Sequence, residues 1–126
     1  MQRLTKAEEE IMQMFWDHGP NTVSQLIAYM DEPKPPHSTI SSIVRILEKK
    51  EFLSHTAYGR TYVYTPLIEK KQYSKFSLRK LVSNYFEGSM KELVSFLVEE
   101  ENLSLKELAA LQEELDNHEQ NKTDPS

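Results

Sequence analysis

The chain has no cysteine among its 126 residues, which excludes disulfides, thiolate metal sites and a cysteine nucleophile. Glycine is nearly as scarce, with three, too few for a loop that cradles phosphate on bare backbone. No apolar run approaches the roughly 18 residues of a membrane span. Met1 leads directly into a polar, acidic segment with no apolar h-region, so a cytoplasmic protein without a secretory signal is expected. His18, His37, His55 and His118 are scattered, with no HExxH and no ligand pair at helical spacing. Neither an enzyme, a metal site nor a cofactor is therefore expected.

What is present is the composition of a folded domain, 38% hydrophobic and 28% charged. The formal net charge of −5 on its own argues against nucleic acid, whose phosphates need clustered bases. The charge is unevenly spread, however. From Pro33 to Tyr64 five bases (Lys34, Arg45, Lys49, Lys50, Arg60) face two acids, Glu48 and Glu51, leaving a local +3. From Glu92 to Glu119 nine acids face one base, Lys106, leaving −8. Local charge governs contact.

Along the chain the signals alternate between caps and apolar stripes. Thr5 and Glu8 form a capping box ahead of Ala7, Ile11, Met14 and Phe15, and His18-Gly19-Pro20 ends that helix. Thr22 and Gln25 form a second box, leading into Val23, Leu26, Ile27 and Met30. Three prolines between Asp31 and Pro36 mark a loop. A third helix follows, with Ile40, Ile43, Val44 and Leu47 on one face and Ser38 or its neighbour as the expected cap. Phe52–Ala57 and Thr61–Thr65 are rich in β-branched and aromatic residues around the turn chemistry of Tyr58-Gly59-Arg60, which reads as a hairpin. Three short helices and a two-stranded ribbon give the order of a winged helix-turn-helix domain, expected over residues 1–67.

Residues 68–117 return to helical periodicity. Tyr73, Phe76, Leu78, Leu81, Val82, Tyr85 and Phe86 form one stripe, Met90, Leu93, Val94, Leu97 and Val98 a second, and Leu108, Leu111 and Leu115 a third behind a capping box of Ser104 and Glu107. Three amphipathic helices without a sheet make a layer too thin to bury these stripes on itself. A dimerisation arm is expected, with Phe76, Leu81, Tyr85, Leu93, Leu97, Leu108 and Leu111 facing a second copy. Residues 118–126 are polar and expected to be disordered. The fold class is mainly α with a small β-hairpin.

The third helix carries the functional signal. Placed on a wheel of about 100° per residue, Ser38, Ser42, Arg45 and Lys49 lie opposite the apolar face, with Thr39 and Ser41 on its flanks. Hydroxyls are poor interior helix formers, yet they suit a helix seated in a major groove. Short side chains permit close approach to base edges, Ser and Thr bond either base type, and longer cations reach phosphate. The plainer reading is capping or a solvated face; the position of the run, in the third helix ahead of a hairpin, favours DNA. Arg60 at the hairpin tip is the second candidate, suited to backbone phosphate or the minor groove. Tyr58, Tyr62 and Tyr64 could stack on bases or pack on the helices.

The stretches LTKAEEEIMQMFWDHGPNTVSQLI, STISSIVRILEKKEFL, YGRTYVYTPLI and SMKELVSFLVEEENLSLKEL together resemble the penicillinase repressor and methicillin-resistance regulator family, from about Leu4 to Leu115. The resemblance implies a homodimeric repressor on a palindromic operator, tied to β-lactam resistance. It also implies a membrane-bound sensor protease as partner and cleavage of the repressor within its dimerisation arm. Carried over by position, base reading falls on Ser38, Thr39 and Ser42, the wing contact on Arg60, and the cleaved bond on Ser95–Phe96. The family pattern usually has Arg where Ile46 stands and Gly where Glu51 stands. The first departure removes either a phosphate contact or an ion pair, with Arg45 as a candidate substitute; the second forgoes a helix-terminating glycine. A copper-responsive branch with C-terminal cysteines is excluded by their absence. The rival to DNA binding is a winged helix that docks another protein through its hydroxyl face and acidic arm.

Overall fold

The computed structural model describes residues 1–100, 104–110 and 113. The named elements among these residues are, in order, α1 Lys6–His18, α2 Val23–Ala28, α3 His37–Lys49, β1 Leu53–Tyr58, β2 Thr61–Pro66, α4 Lys70–Tyr85 and α5 Met90–Glu100. Residues 105–110 are also helical. The chain divides into two compact units, residues 1–78 and residues from Arg79 onward, with the division inside α4. The expected tail at 118–126, together with Leu111 and Leu115 of the last stripe, lies outside the described residues.

Both N-terminal capping boxes form. The Thr5 and Thr22 hydroxyls accept from the backbone N–H of Glu8 and Gln25, whose side chains reach back to the cap N–H groups. α3 departs from expectation: its cap is Pro36, with no side-chain bond, and Ser38 lies inside the helix. Proline's fixed φ and the extended backbone it holds start this helix in place of a capping hydroxyl.

The core of the first unit is closed by Met12, Phe15, Leu26, Val44, Leu47, Phe52 and Leu53, all fully buried. Truncating one of the larger of these to Ala typically removes about 3–5 kcal/mol. β1 and β2 pair antiparallel, with Leu53 opposite Pro66 and Tyr58 opposite Thr61, so the turn is Gly59-Arg60. Gly59 alone of the two has positive φ, at 65°, the pattern of a type II′ turn whose twist matches the strands. Tyr64 is buried, and its backbone N–H and C=O exchange bonds of 2.9 and 3.1 Å with Asn21. That bridge fixes the middle of β2 to the α1–α2 connection.

The first unit also takes in the beginning of α4. Tyr73 is buried; its hydroxyl accepts from Leu4 N–H at 3.1 Å and donates to Glu9 Oε1 at 2.7 Å. Burial first, and then the bond to the Glu9 carboxylate, hold this phenol above its ordinary pKa. Phe76 packs on the same core, and Trp16 Nε1 donates to Ile68 O at 2.9 Å.

α3 ends in a six-residue motif in which Phe52 N–H bonds Leu47 O at 2.9 Å and Glu51 N–H bonds Glu48 O at 3.0 Å. Glu51 occupies the position that glycine usually fills, with φ at 66°. A non-glycine residue there is strained by about 1–2 kcal/mol. Glycine gives back about 0.4–1 kcal/mol through the unfolded chain. Glu51→Gly is therefore expected to stabilise the protein by about 0.5–1 kcal/mol and to raise the melting temperature by a few degrees. Calorimetry that finds no rise would remove the strain account.

Lys50 Nζ meets both carboxylate oxygens of Glu8, at 2.7 and 2.9 Å, joining α3 to α1. Burial alone would push the Glu8 pKa up. The Lys50 ammonium, the Thr5 N–H and the Thr5 hydroxyl outweigh that and hold it below its ordinary 4.5. The folded-state value is depressed, so the pair's stabilisation is complete above the unfolded value. It is lost as pH falls from about 4.5 through the folded value. Lys50→Met leaves Glu8 buried without its cation and is expected to cost about 1.5–3 kcal/mol at pH 7. Urea titrations from pH 7 to pH 3 should show the variant losing its remaining carboxylate stabilisation at a higher pH than the parent. Coincident pH profiles would count against the pair.

Candidate nucleic-acid interface

α3 and the hairpin tip share one side of the first unit, and the helix period decides what α3 presents there. Ile40, Val44 and Leu47 are buried, whereas Ser38, Thr39, Ser42, Arg45 and Lys49 are exposed and Ser41 is half-buried on the flank. The Ser42 hydroxyl donates to Ser38 O at 2.9 Å, and Arg45 Nε donates to Ser41 O at 3.4 Å. Ser42 thus spends its proton on the helix backbone and keeps its lone pairs outward, while the Thr39 hydroxyl has no partner among the described residues.

The five bases of this region do not all remain available. Lys50 is held by Glu8. Lys34 Nζ caps the end of α2, donating to Met30 O at 2.7 Å and to the carbonyls of Ile27 and Ala28 at 3.3 Å. Among the described residues the ion pair is Lys50–Glu8, and Glu48 contacts the His55 ring at Nδ1, so Arg45, Lys49 and Arg60 have no acidic partner among those residues. His55 also stacks on Tyr62, with ring centroids 4.3 Å apart. Its contact with Glu48 ties β1 to the end of α3 on the rung where the opposite residue, Tyr64 of β2, bonds Asn21, so both strands are braced at one level. Of the three wing tyrosines, Tyr64 is core, Tyr62 leans on His55, and Tyr58 is exposed.

An open groove of about 430 Å³ lies between the start of α2, the flank of α3 and the hairpin tip. Thr22, Ser24, His37, Ser41, Arg60 and Thr61 line it with polar atoms. Ser24, His37 and Thr61 were not singled out by the sequence; the available signal was the polar first turn of α2 beside the helix-turn-helix connection.

The penicillinase repressor family model matches residues 4–117, nearly the whole chain. The chain belongs to the penicillinase repressor family. The members found are transcriptional repressors and not enzymes. The penicillinase repressor of Bacillus licheniformis is 26% identical over 121 residues, covering 95% of this chain and 94% of that protein. The methicillin resistance regulatory protein MecI of Staphylococcus aureus (strain N315) is 24% identical over 109 residues, covering 86% and 89% respectively. The solution structure of the DNA-binding domain of the repressor BlaI is 30% identical, with a TM-score of 0.50 over 58% of this chain and 94% of that domain. The helix-turn-helix pair and hairpin of this penicillinase repressor family member are a winged helix.

In the second unit Leu81 and Tyr85 are exposed at 42% and 72%, and Leu93, Leu97 and Leu108 are half-buried. Val82 is the buried apolar residue of this unit among those described. Ser95 and Phe96 are both exposed in the middle of α5, where the Phe96 ring meets Phe86 edge-on at 5.5 Å. Ser89 caps α5 and Ser104 caps the helix that follows, each accepting from the N–H three residues on. Among the described residues, no helix is long and apolar enough to cross a membrane.

Proposed function

We propose that this protein is a homodimeric, cytoplasmic repressor that binds a palindromic DNA operator. In this reading Ser38, Thr39, Ser41 and Ser42 face base edges, and Arg45, Lys49 and Arg60 face phosphate. The observation that carries it is the outward row of α3, in which exposed hydroxyls precede cations that no acidic side chain among the described residues pairs. The relatives named as a penicillinase repressor and a methicillin resistance regulatory protein support reading the regulated response as one to β-lactams. Release is read as proteolysis of the Ser95–Phe96 bond, triggered by a membrane-bound sensor protease. The apolar residues of α4 and α5 left exposed in a single chain support a two-fold interface, the simplest way to bury self-complementary faces.

A footprint on DNA upstream of the protein's own gene is expected to show two inverted half-sites, with affinity falling steeply as salt rises. Sedimentation at micromolar concentration is expected to give a dimer. A stable monomer, or a chain that captures protein but shows no salt-dependent shift of DNA, would favour a protein-docking winged helix instead.

A further inference from the structure

The outward face of α3 carries one side chain that hydroxyls and cations do not account for. Ile46 is 46% exposed, whereas the neighbouring Val44 and Leu47 are fully buried. Thr39, Ser42, Ile46 and Lys49 follow at i, i+3, i+7 and i+10, so Ile46 stands in the same row as the exposed hydroxyls and the last cation. An aliphatic side chain in that row can make no hydrogen bond. The edges of the bases in the major groove offer one apolar feature, the C5 methyl of thymine.

We propose that Ile46 reads a thymine in each operator half-site by packing on its C5 methyl. This inference rests on the operator-binding reading of α3 and adds a specificity determinant to it. Seven residues separate Thr39 from Ile46, about 10.5 Å along the helix axis. At about 3.4 Å per base pair, the thymine lies about three steps from the base under Thr39 if the helix follows the groove. The hydroxyls accept several bases, whereas a methyl contact separates thymine from cytosine at the same pyrimidine position. The row thus combines permissive polar readers with one selective apolar reader.

The test uses the intact protein and a duplex that it selects from a randomised pool. Each thymine is replaced in turn, symmetrically in both half-sites, by deoxyuridine, which deletes only the C5 methyl. At one symmetric position the wild type is expected to bind about fourfold more weakly per half-site, or about fifteenfold for the pair. Ile46→Ala is expected to bind the thymine and uracil duplexes alike at that position, with an unchanged melting temperature because the side chain is exposed. A wild type indifferent to uracil at every position overturns the proposal, as does an Ile46→Ala variant that keeps the full uracil penalty. If the wild type selects no sequence from the pool, the operator-binding reading falls and this inference with it. Specific selection with a flat uracil scan removes Ile46 alone.

Discussion

Residues 1–95, expressed alone, are expected to fold, to lose self-association and to bind the full operator about 10²–10⁴-fold more weakly than the intact chain. Folding is expected because the whole winged-helix core, from Leu4 to Tyr73, lies upstream of the cut. The loss of pairing follows from what the cut does to α5. That helix runs from Met90 to Glu100, so cleavage after Ser95 leaves six residues, too few to hold a helix unaided. It removes Phe96 from its edge contact with Phe86, and Leu97, Val98 and everything beyond go with it. Each large apolar side chain withdrawn from burial costs roughly 1.5–3 kcal/mol, so several together exceed what holds an ordinary dimer. Two half-sites then bind independently, and the gain from linking them disappears.

The geometry also constrains when the bond can be cut. Ser95 and Phe96 are solvent-exposed, but their backbone is helical, and a protease needs an extended strand. Cleavage therefore requires local opening of α5 or access before the two copies meet. Far-UV dichroism, sedimentation and a quantitative DNA shift on the 1–95 fragment decide the matter. A fragment that dimerised and bound like the parent would place the switch elsewhere.

Much of this molecule was legible in the sequence because local chemistry specifies local structure. The boxes at Thr5 and Thr22, the turn at Gly59-Arg60 and the cap at Ser104 form where the residue types put them. α3 starts behind Pro36 and not at the serine that capping preference suggests, with no side-chain cap bond and the proline's preset φ leading into the helix. Partnerships across the fold were not legible. Periodicity marks Tyr73 and Phe76 as apolar-face residues and leads to a second copy as the expected partner of Phe76, whereas both pack on the N-terminal core. Glu8 read as a cap alone, whereas its carboxylate also holds Lys50 from 42 residues away. That pair, with the bonding of Lys34, reduces the apparent basic cluster to Arg45, Lys49 and Arg60. On the candidate interface the wheel separates hydroxyls from core, but the sequence marks Ile46 only as the place of a missing Arg; its exposure in the hydroxyl row is what the fold adds.

Thr39→Ala is expected to give the largest loss of any single change on the outward face of α3. Its hydroxyl has no intramolecular partner among the described residues, and its methyl is available to a thymine. Removal should cost about 1–3 kcal/mol per half-site and relax sequence preference at one position in each. A homodimer carries the change twice, so the whole operator should lose about 2–6 kcal/mol. Ser42→Ala should fall at the low end of that range, because the Ser42 proton already bonds Ser38 O and only its acceptor capacity is lost. Arg60→Ala should behave differently. The side chain sits at an exposed turn with no acidic partner among the described residues and, acting on phosphate, should contribute equally to operator and unrelated DNA. Its removal should lower the salt slope by about one per protomer while leaving the ratio between the two DNAs unchanged. The measurement is a salt titration of each variant on operator and on a scrambled duplex. If Thr39→Ala lost only salt-dependent affinity, and lost it equally on both duplexes, α3 would not be the reader. Sequence preference would then have to come from the groove beside α2 and the wing, where Ser24, His37 and Thr61 present the remaining exposed polar groups.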